Sequence, residues 1–304
     1  MVELMVALVL MTLVGGVTYQ LLVNNQRVTR SQTEHVSMQD NVRSGALILG
    51  NELREAGYDA VTAPAVLELL AAAMPVGPSP DLIAIGPDSI TYRAMRAIGF
   101  TCQLNGATGD ITLRTSSYVP QRALTTSDSL LLYVENKSNT AGDDIWIHAG
   151  LAQASVAQNC PDGTAGLRFR LSPLSALAYP GLGVGTVFGK MVLGGPVRGF
   201  EVMQMRTYRA GGDNWLGMRS LTSGGALQPV LGPLSDSTGA MQGMSLTFRD
   251  AANATTAVPN NVRAVEVTLR GITDAPVHRS GYGYATVDSL NLTTRVALRN
   301  ALRP

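Results

Sequence analysis

The chain begins with a long apolar run. Between Met1 and Val23 the ionisable side chains are Glu3 and Tyr19, and Leu, Met, Val and Ala supply most other positions. About 20 such residues form a helix long enough to cross the hydrocarbon core of a bilayer. The run has neither the basic start nor the small-residue cleavage site of an ordinary secretory signal. It therefore predicts an uncleaved membrane-spanning helix over residues 1–23.

After Val23 the pattern becomes amphipathic, and no proline interrupts it. Apolar residues recur at helical spacings among Arg, Glu, Gln and Asp, namely at Val28, Met38, Val42, Leu49 and Leu53. This periodicity is typical of a helix with one apolar face, and Gly57 follows it as a C-cap would. One helix is thus predicted from Met1 to Ala56, about 80 Å long at 1.5 Å per residue. Its amphipathic half, residues 24–57, needs a surface to pack on.

Residues 58–304 show short alternating runs between glycines and prolines. The runs are SITYRAMR, DITLRT, SLLLYVEN, GLRFRLS, FEVMQMRTYR, MSLTFRD, VRAVEVTLRG and LTTRVALRN. In VRAVEVTLRG, Val265, Val267 and Leu269 point to one side, as in a half-buried strand. At least eight such runs predict a β-rich domain built largely on antiparallel sheet, with one large or two small subdomains. The expected fold class is α+β.

Composition limits the partners of the chain. The net charge is +1, and arginine supplies nearly all of the basic residues because Lys137 and Lys190 are the only lysines. Nucleic-acid-binding domains usually carry a basic patch, and none stands out here. We therefore expect no nucleic-acid partner.

Cys102 and Cys160 are the only cysteines. In a chain whose bulk is translocated across a membrane, such a pair favours one disulfide. It would close a loop of about 59 residues and stabilise the fold by up to about 4 kcal/mol in the chain-entropy model. The alternative is two buried thiols.

A search for catalytic or metal-binding motifs finds no convincing site. His35, His148 and His278 are the only histidines and are too far apart for a helical metal motif. Asp144 and His148 would share a face of a strand, but a surface turn explains them better. The oxygen-rich segment 136–144 does not match the EF-hand pattern for calcium. We therefore expect no catalytic residue, cofactor or metal, and a protein that is not an enzyme.

A turn is also expected around Asp213, which either exposes or buries Trp215.

The first residues resemble a known family. The run VELMVALVLMTLVGGVTYQLLVNNQ is similar to the N-terminal segment of type IV prepilins, whose mature chains begin Phe-Thr-Leu-Val-Glu-Leu-Met-Val-Ala. The match extends from Val2 to Ala7, with Met1 where Leu is usual. The continuation to NELREAGY and the chain end TTRVALRNALRP resemble the minor pilins called PilW. The family's basic leader, which a dedicated peptidase removes before N-methylation, is not in this sequence. Either the start is placed too late or the leader was left off.

The resemblance assigns roles to residues of the helix. Glu3 stands where the family has the glutamate that meets the N-terminal amine of a neighbouring subunit, which makes it an assembly residue. Gly15 and Gly16 form a weak point, each costing up to about 1 kcal/mol relative to Ala. They indicate either close packing between membrane helices or a segment that stretches on leaving the membrane.

The resemblance also implies an architecture. An antiparallel sheet would pack on the C-terminal half of the helix and cover a stripe formed by Val42, Leu49 and Leu53. The family function implied is a minor pilin that primes type IV pilus assembly near the filament tip. Such a protein resides in the inner membrane, with the bulk of its chain in the periplasm, and then in the extracellular filament.

The implied partners are other minor and major pilins, the inner-membrane assembly platform, the prepilin peptidase and a tip adhesin. Two other functions stay open. One is a minor pseudopilin of a type II secretion system, which has the same helix. The other is a membrane-anchored binding module or enzyme with an ordinary signal-anchor.

Overall fold

A computed structural model describes seven segments of the 304-residue chain, residues 2–56, 82–135, 145–172, 188–189, 191–236, 243–278 and 285–298. They form one long helix followed by an antiparallel β-domain, so the α+β prediction is confirmed. The strands are β1 (Leu82–Gly86), β2 (Ser89–Asn105), β3 (Asp110–Arg114), β4 (Val119–Pro120), β5 (Ser129–Val134), β6 (Ile145–Gly150), β7 (Val156–Ala157), β8 (Gly166–Arg170), β9 (Pro196–Ala210), β10 (Asp213–Ser220), β11 (Gln228–Leu234), β12 (Met244–Arg249), β13 (Ala264–Ile272), β14 (Val277–His278), β15 (Ala285–Thr286) and β16 (Ser289–Ala297).

The helix, α1, extends from Val2 to Glu55 without interruption. It contains no proline, and the amide of Ala56 still donates to the carbonyl of Glu52 at 3.2 Å. Its buried residues all fall in the C-terminal third and share one face; they are Met38, Val42, Gly45, Leu49, Gly50 and Leu53. The single helix predicted from the apolar run and the amphipathic pattern is therefore present.

Fourteen of the described strands form one sheet, in which β2 and β9 are the longest members. The path through the sheet is β12-β13-β11-β10-β9-β2-β3-β8-β7. Off this path, β1 and β4 pair with β2, β5 pairs with β9 and β6, and β16 pairs with β13. Each of the eight runs predicted as strands forms one, because their alternation matches a sheet with one buried face.

Two hydrophobic clusters lie along this sheet. The first contains the buried face of α1 together with side chains of β2, β9, β10, β11, β12, β13 and β16. The second contains no α1 residue and is built from β2, β3, β5, β6, β8 and β9. They meet on β2, where Ala94 belongs to the first cluster and Ala97 to the second. The register between β2 and β9 shifts at this point, between Met95 and Ala97, and Arg96 is the extra residue.

A disulfide links β2 to the connection between β7 and β8. Cys102 on β2 and Cys160, between β7 and β8, are bonded, with their Cα atoms 5.7 Å apart. The bond links positions separated by 58 residues. It fastens the β7–β8 connection to the end of the longest strand.

Candidate assembly site

The first part of α1 has no contact that buries it. Every residue from position 2 to 22 is exposed, although most are apolar. An 18-residue window of this helix has a mean hydropathy of 2.0 and is 0% buried, which makes α1 the one helix in the described residues that is long and apolar enough to cross a membrane. We call residues 2–23 the apolar arm. At 1.5 Å per residue its length is about 33 Å, close to a bilayer core of about 30 Å.

Glu3 lies in the first turn of α1 and is exposed. The unpaired N–H groups and the dipole of a helix N-terminus favour a negative charge at this place. In the described part of the chain no side chain forms an ion pair with it. The assembly role of Glu3 stays a prediction.

Gly15 and Gly16 lie within the apolar arm, and α1 continues through them as a regular helix. A Cβ atom added to either residue would have no neighbour within 4 Å. Packing within the described part of the chain therefore does not explain the two glycines. Close approach of another helix and local stretching stay open as explanations.

The opposite end of α1 is docked on the sheet. Residues 34–55, here called the docked segment, bury the predicted stripe completely, since Val42, Leu49 and Leu53 are 0% exposed. Its closest approach to β13 is made possible by a glycine, because a Cβ on Gly271 would collide with the side chain of Val42. Gly45 receives Leu231 of β11 in the same way. Small residues on both surfaces thus bring helix and sheet together.

Polar contacts accompany this packing at the start of the docked segment. Nε2 of His35 lies 3.5 Å from a carboxylate oxygen of Asp288. The carboxylate of Glu34 accepts a hydrogen bond from the amide of Ala275 at 3.4 Å. Asn41 donates to the carbonyl of Gly232, also at 3.4 Å.

A buried guanidinium joins the end of α1 to the sheet. Arg96, the bulge residue of β2, has a side chain that is 8% exposed. Its Nε donates to Glu201 of β9 at 2.6 Å, and its terminal nitrogens lie 3.3 Å from Glu55 and 3.5 Å from Glu52. Glu52 also accepts a hydrogen bond of 2.7 Å from the hydroxyl of Tyr92. Two carboxylates of the helix are therefore fixed to the central strands.

A second arginine extends this cluster. Arg122 donates to Asp128 at 2.6 Å and to the second oxygen of Glu201 at 2.8 Å. The Asp128 side chain is 0% exposed and also accepts bonds from the amide and hydroxyl of Thr125. We call the six charged groups Arg96, Arg122, Glu52, Glu55, Glu201 and Asp128 the ionic clamp.

The pKa values within the ionic clamp follow from these contacts. Burial alone would raise the pKa of Glu201, but hydrogen bonds from Arg96, Arg122 and Ser220 outweigh it and hold that pKa below its ordinary value. The pKa of Asp128 is lowered in the same way, chiefly by Arg122 acting against burial. Burial and the neighbouring Glu52 raise the pKa of Tyr92 well above its usual range, so it stays a neutral donor. Arg96, Arg122, Glu201 and Asp128 are consequently charged at neutral pH.

The clamp is the feature that sequence reasoning missed. Arg96 and Glu201 are separated by 105 positions, and Arg96 and Glu55 by 41. The one local signal is Arg96 within the short stretch AMRAIGF of β2, whose other residues are apolar or glycine and where the alternation breaks.

The residues considered as candidate metal-binding or catalytic groups lie in different parts of the chain. The described residues contain no group of three or more His, Cys, Asp and Glu side chains arranged to hold a metal ion. The segment 136–144, including Asp144, lies outside the described residues, and His148 and His278 are described by their backbone alone. Trp215 follows a turn at Gly211–Gly212 and is half-buried, with its indole N–H donating to the carbonyl of Ala210 at 3.2 Å.

Searches of protein-family models, of curated proteins and of solved structures find no significant match to this chain. The case for a function therefore depends on the geometry of α1 and its attachment.

Proposed function

We propose that this chain is a minor pilin of the PilW type, which takes part in type IV pilus assembly near the filament tip. The observation that supports this most is the division of one unbroken helix into an exposed apolar arm and a docked segment. A simple membrane anchor needs only the arm. A filament subunit needs the arm to be a rigid extension of its domain, because pulling on the helix must move the domain.

The proposed action has two steps. In the inner membrane, the apolar arms of this chain and of its sister pilins pack side by side. Glu3, a carboxylate in an apolar surrounding, then meets the amino terminus of a neighbour, since a buried charge persists only when it is paired or protonated. The assembly platform extracts the packed arms into the filament core, while the β-domain stays on the outside. Adhesion and twitching motility would be consequences of the assembled filament, and the chain itself would catalyse no reaction.

The experiment expresses the full chain behind a prepilin-type leader in pilus-forming cells, with and without the prepilin peptidase. We expect a mass decrease that depends on the peptidase, and protein in the fraction of filaments sheared from the cell surface. Protein of unchanged mass that stays in membranes would contradict the proposal and favour an anchored module. Repeating the measurement in cells that lack either the pilus motor or the type II secretion motor separates a pilin from a pseudopilin.

A variant pair tests the role of Glu3. Glu3→Ala should abolish recovery in sheared filaments while leaving the membrane level unchanged, since it removes only the carboxylate of the arm. Asp40→Ala is the matched control, because Asp40 is an exposed carboxylate of the same helix outside the apolar arm. Equal incorporation of both variants would show that Glu3 has no part in assembly.

A further inference from the structure

The strand β16 lies at an edge of the large sheet. It pairs with β13 over its whole length, from Ser289 opposite Ile272 to Ala297 opposite Ala264, without a shift in register. Among the described residues no strand pairs with its other side. It is nine residues long, which gives it an edge of about 30 Å at 3.3 Å per residue.

The hydrogen bonds at the two ends of this ladder fix which backbone groups point outward. The amide of Leu298 donates to the carbonyl of Arg263, and the amide of Thr273 donates to the carbonyl of Asp288, both at 3.0 Å. Hydrogen-bonded pairs alternate with non-bonded pairs in an antiparallel ladder, so the even-numbered residues of β16 bond to β13. Four odd-numbered residues turn both their N–H and their C=O away from the sheet and are themselves exposed; they are Asn291, Thr293, Arg295 and Ala297.

This edge has few of the features that normally prevent strands from pairing with other chains. Proteins protect such edges with short strands, bulges, prolines or charged side chains, above all lysine. Elsewhere in this sheet β7 has two residues, and β1 has five with a shift in register. The sequence of β16, SLNLTTRVA, contains no proline and no lysine, Arg295 is its one charged residue, and its pairing is regular. An edge of this kind is suited to accept a further strand.

The charges beside the edge indicate what kind of strand would fit. Arg295 lies on the exposed face of β16, where it donates to Asn253. On the other face, a Cβ at Gly50 would lie 3.9 Å from Val296 and 3.6 Å from the guanidinium of Arg54, which places Arg54 beside β16. Arg43, exposed and seven residues before Gly50, belongs to the same flank of the helix. Across from Arg295 on β13, Glu266 already pairs with Arg249.

We propose that the outer edge of β16 is a docking site for an extended, acidic segment of a second protein, which adds a strand to the sheet. The backbone groups of Asn291, Thr293, Arg295 and Ala297 supply the ladder, and arginines on both faces select negative side chains. A second copy of this chain fits less well, because pairing β16 with β16 would bring the same arginines together. The inference rests on the geometry of β16 and is independent of the proposed function.

The test measures peptide binding to the full chain in detergent micelles by fluorescence anisotropy. The probes are two labelled, capped peptides of nine residues with the same alternation of valine and threonine, one carrying glutamates and the other lysines at the same positions. We expect the acidic peptide to bind about tenfold more tightly, since several exposed charge pairs together amount to about that factor. Equal binding of the two peptides, or no binding of either, would overturn the proposal.

A variant pair separates the backbone from the side chain. Thr293→Pro removes one outward N–H, and proline is tolerated where that group faces solvent. It should weaken binding of the acidic peptide about tenfold, because one hydrogen bond is lost and the proline ring obstructs the edge. Thr293→Val changes the side chain and keeps the N–H, so its affinity should equal that of the native chain. Equal affinities of the two variants would exclude pairing through this edge.

Further measurements keep the test decisive if Thr293→Pro fails to fold. Arg295→Glu should reverse the preference between the two peptides, whereas Arg206→Glu, the same charge change on β9, should leave it unchanged. Sedimentation of the native chain should show no self-association through β16; a dimer that Thr293→Pro abolishes would identify a second copy as the occupant and contradict the proposal. Slow hydrogen exchange at the amides of Asn291 and Thr293 in the isolated chain would show that its own residues cover the edge, which would also contradict it.

Discussion

Replacing Arg96 by methionine removes the cation that holds the end of α1 to the sheet. The change eliminates contacts of 2.6 Å to Glu201, 3.3 Å to Glu55 and 3.5 Å to Glu52. It also leaves the Glu201 carboxylate, which is 8% exposed, with Arg122 as its remaining cation. Removing one partner of a buried ion pair costs about 3–5 kcal/mol. Because Arg122 still neutralises part of the charge of Glu201, we expect the free energy of unfolding to fall by about 3 kcal/mol, the lower end of this range.

The assay is urea unfolding of the full chain in detergent micelles, followed by tryptophan fluorescence because an isolated helix would keep its circular dichroism. Arg114→Met is the matched control: Arg114 lies 2.6 Å from Asp162, but the two side chains are 38% and 48% exposed, so little stability should be lost. The double variant Arg96→Met with Glu201→Gln should be less destabilised than the sum of the single variants, since the unpaired charge is gone. Equal losses of unfolding free energy for Arg96→Met and Arg114→Met would refute the stabilising role of the ionic clamp.

The same comparison has a defined dependence on pH. The pKa of Glu201 is lower in the folded protein than in the unfolded chain, where a glutamate titrates near pH 4.3. A carboxyl group of this kind stabilises the fold above its unfolded pKa, and the contribution disappears as the pH falls through its folded pKa. The difference in stability between the native chain and Arg96→Met should therefore be full at pH 7 and shrink as the pH falls below about 4.

Three further predictions concern packing and the disulfide. Leu49→Ala, at a fully buried site, should lower the unfolding free energy by about 2–5 kcal/mol, whereas Leu47→Ala, at a 67% exposed site of the same helix, should change it little. Gly271→Ala places a methyl group against α1 and should cost about 1–3 kcal/mol in the same assay. Mass spectrometry without reductant should find no free thiol, and Cys160→Ser, which leaves Cys102 unpaired, should cost about 2–4 kcal/mol. Free thiols in the native chain, or unchanged unfolding midpoints in these variants, would contradict the packing described.

The parts of the fold that were predictable are those encoded by local periodicity. α1 was readable because apolar residues at Val42, Leu49 and Leu53 repeat at the helical period and no proline follows until the helix has ended. The strand β13 was predictable because its apolar and polar residues alternate with a period of two. The disulfide followed from counting, since a chain with two cysteines allows one pairing. None of these required knowledge of distant contacts.

The remaining features depend on residues that are remote in the sequence. The ionic clamp unites positions 52, 55, 96, 122, 128 and 201. Apart from the arginine in β2, no pattern in any one segment indicates it. The role of Gly271 is equally hidden, because the residue is ordinary until the side chain of Val42 is placed against it. The exposed edge of β16 is a property of strand order, which alternation alone does not specify.

The two kinds of contact between α1 and the sheet constrain different motions. The hydrophobic effect is non-directional, so burial of apolar surface alone opposes a slide of the helix by one turn, about 5.4 Å, less sharply than contacts that need fixed distances. The ionic clamp does not tolerate that displacement, because its bonds to Glu52 and Glu55 are at most 3.5 Å long and Arg96 would lose both. Hydrophobic burial therefore holds the docked segment on the sheet, while the ionic clamp and the close contacts at Gly45 and Gly271 fix its position along the helix axis. Under the proposed function, a force applied to the apolar arm along that axis would be borne by the ionic clamp and by these close contacts together.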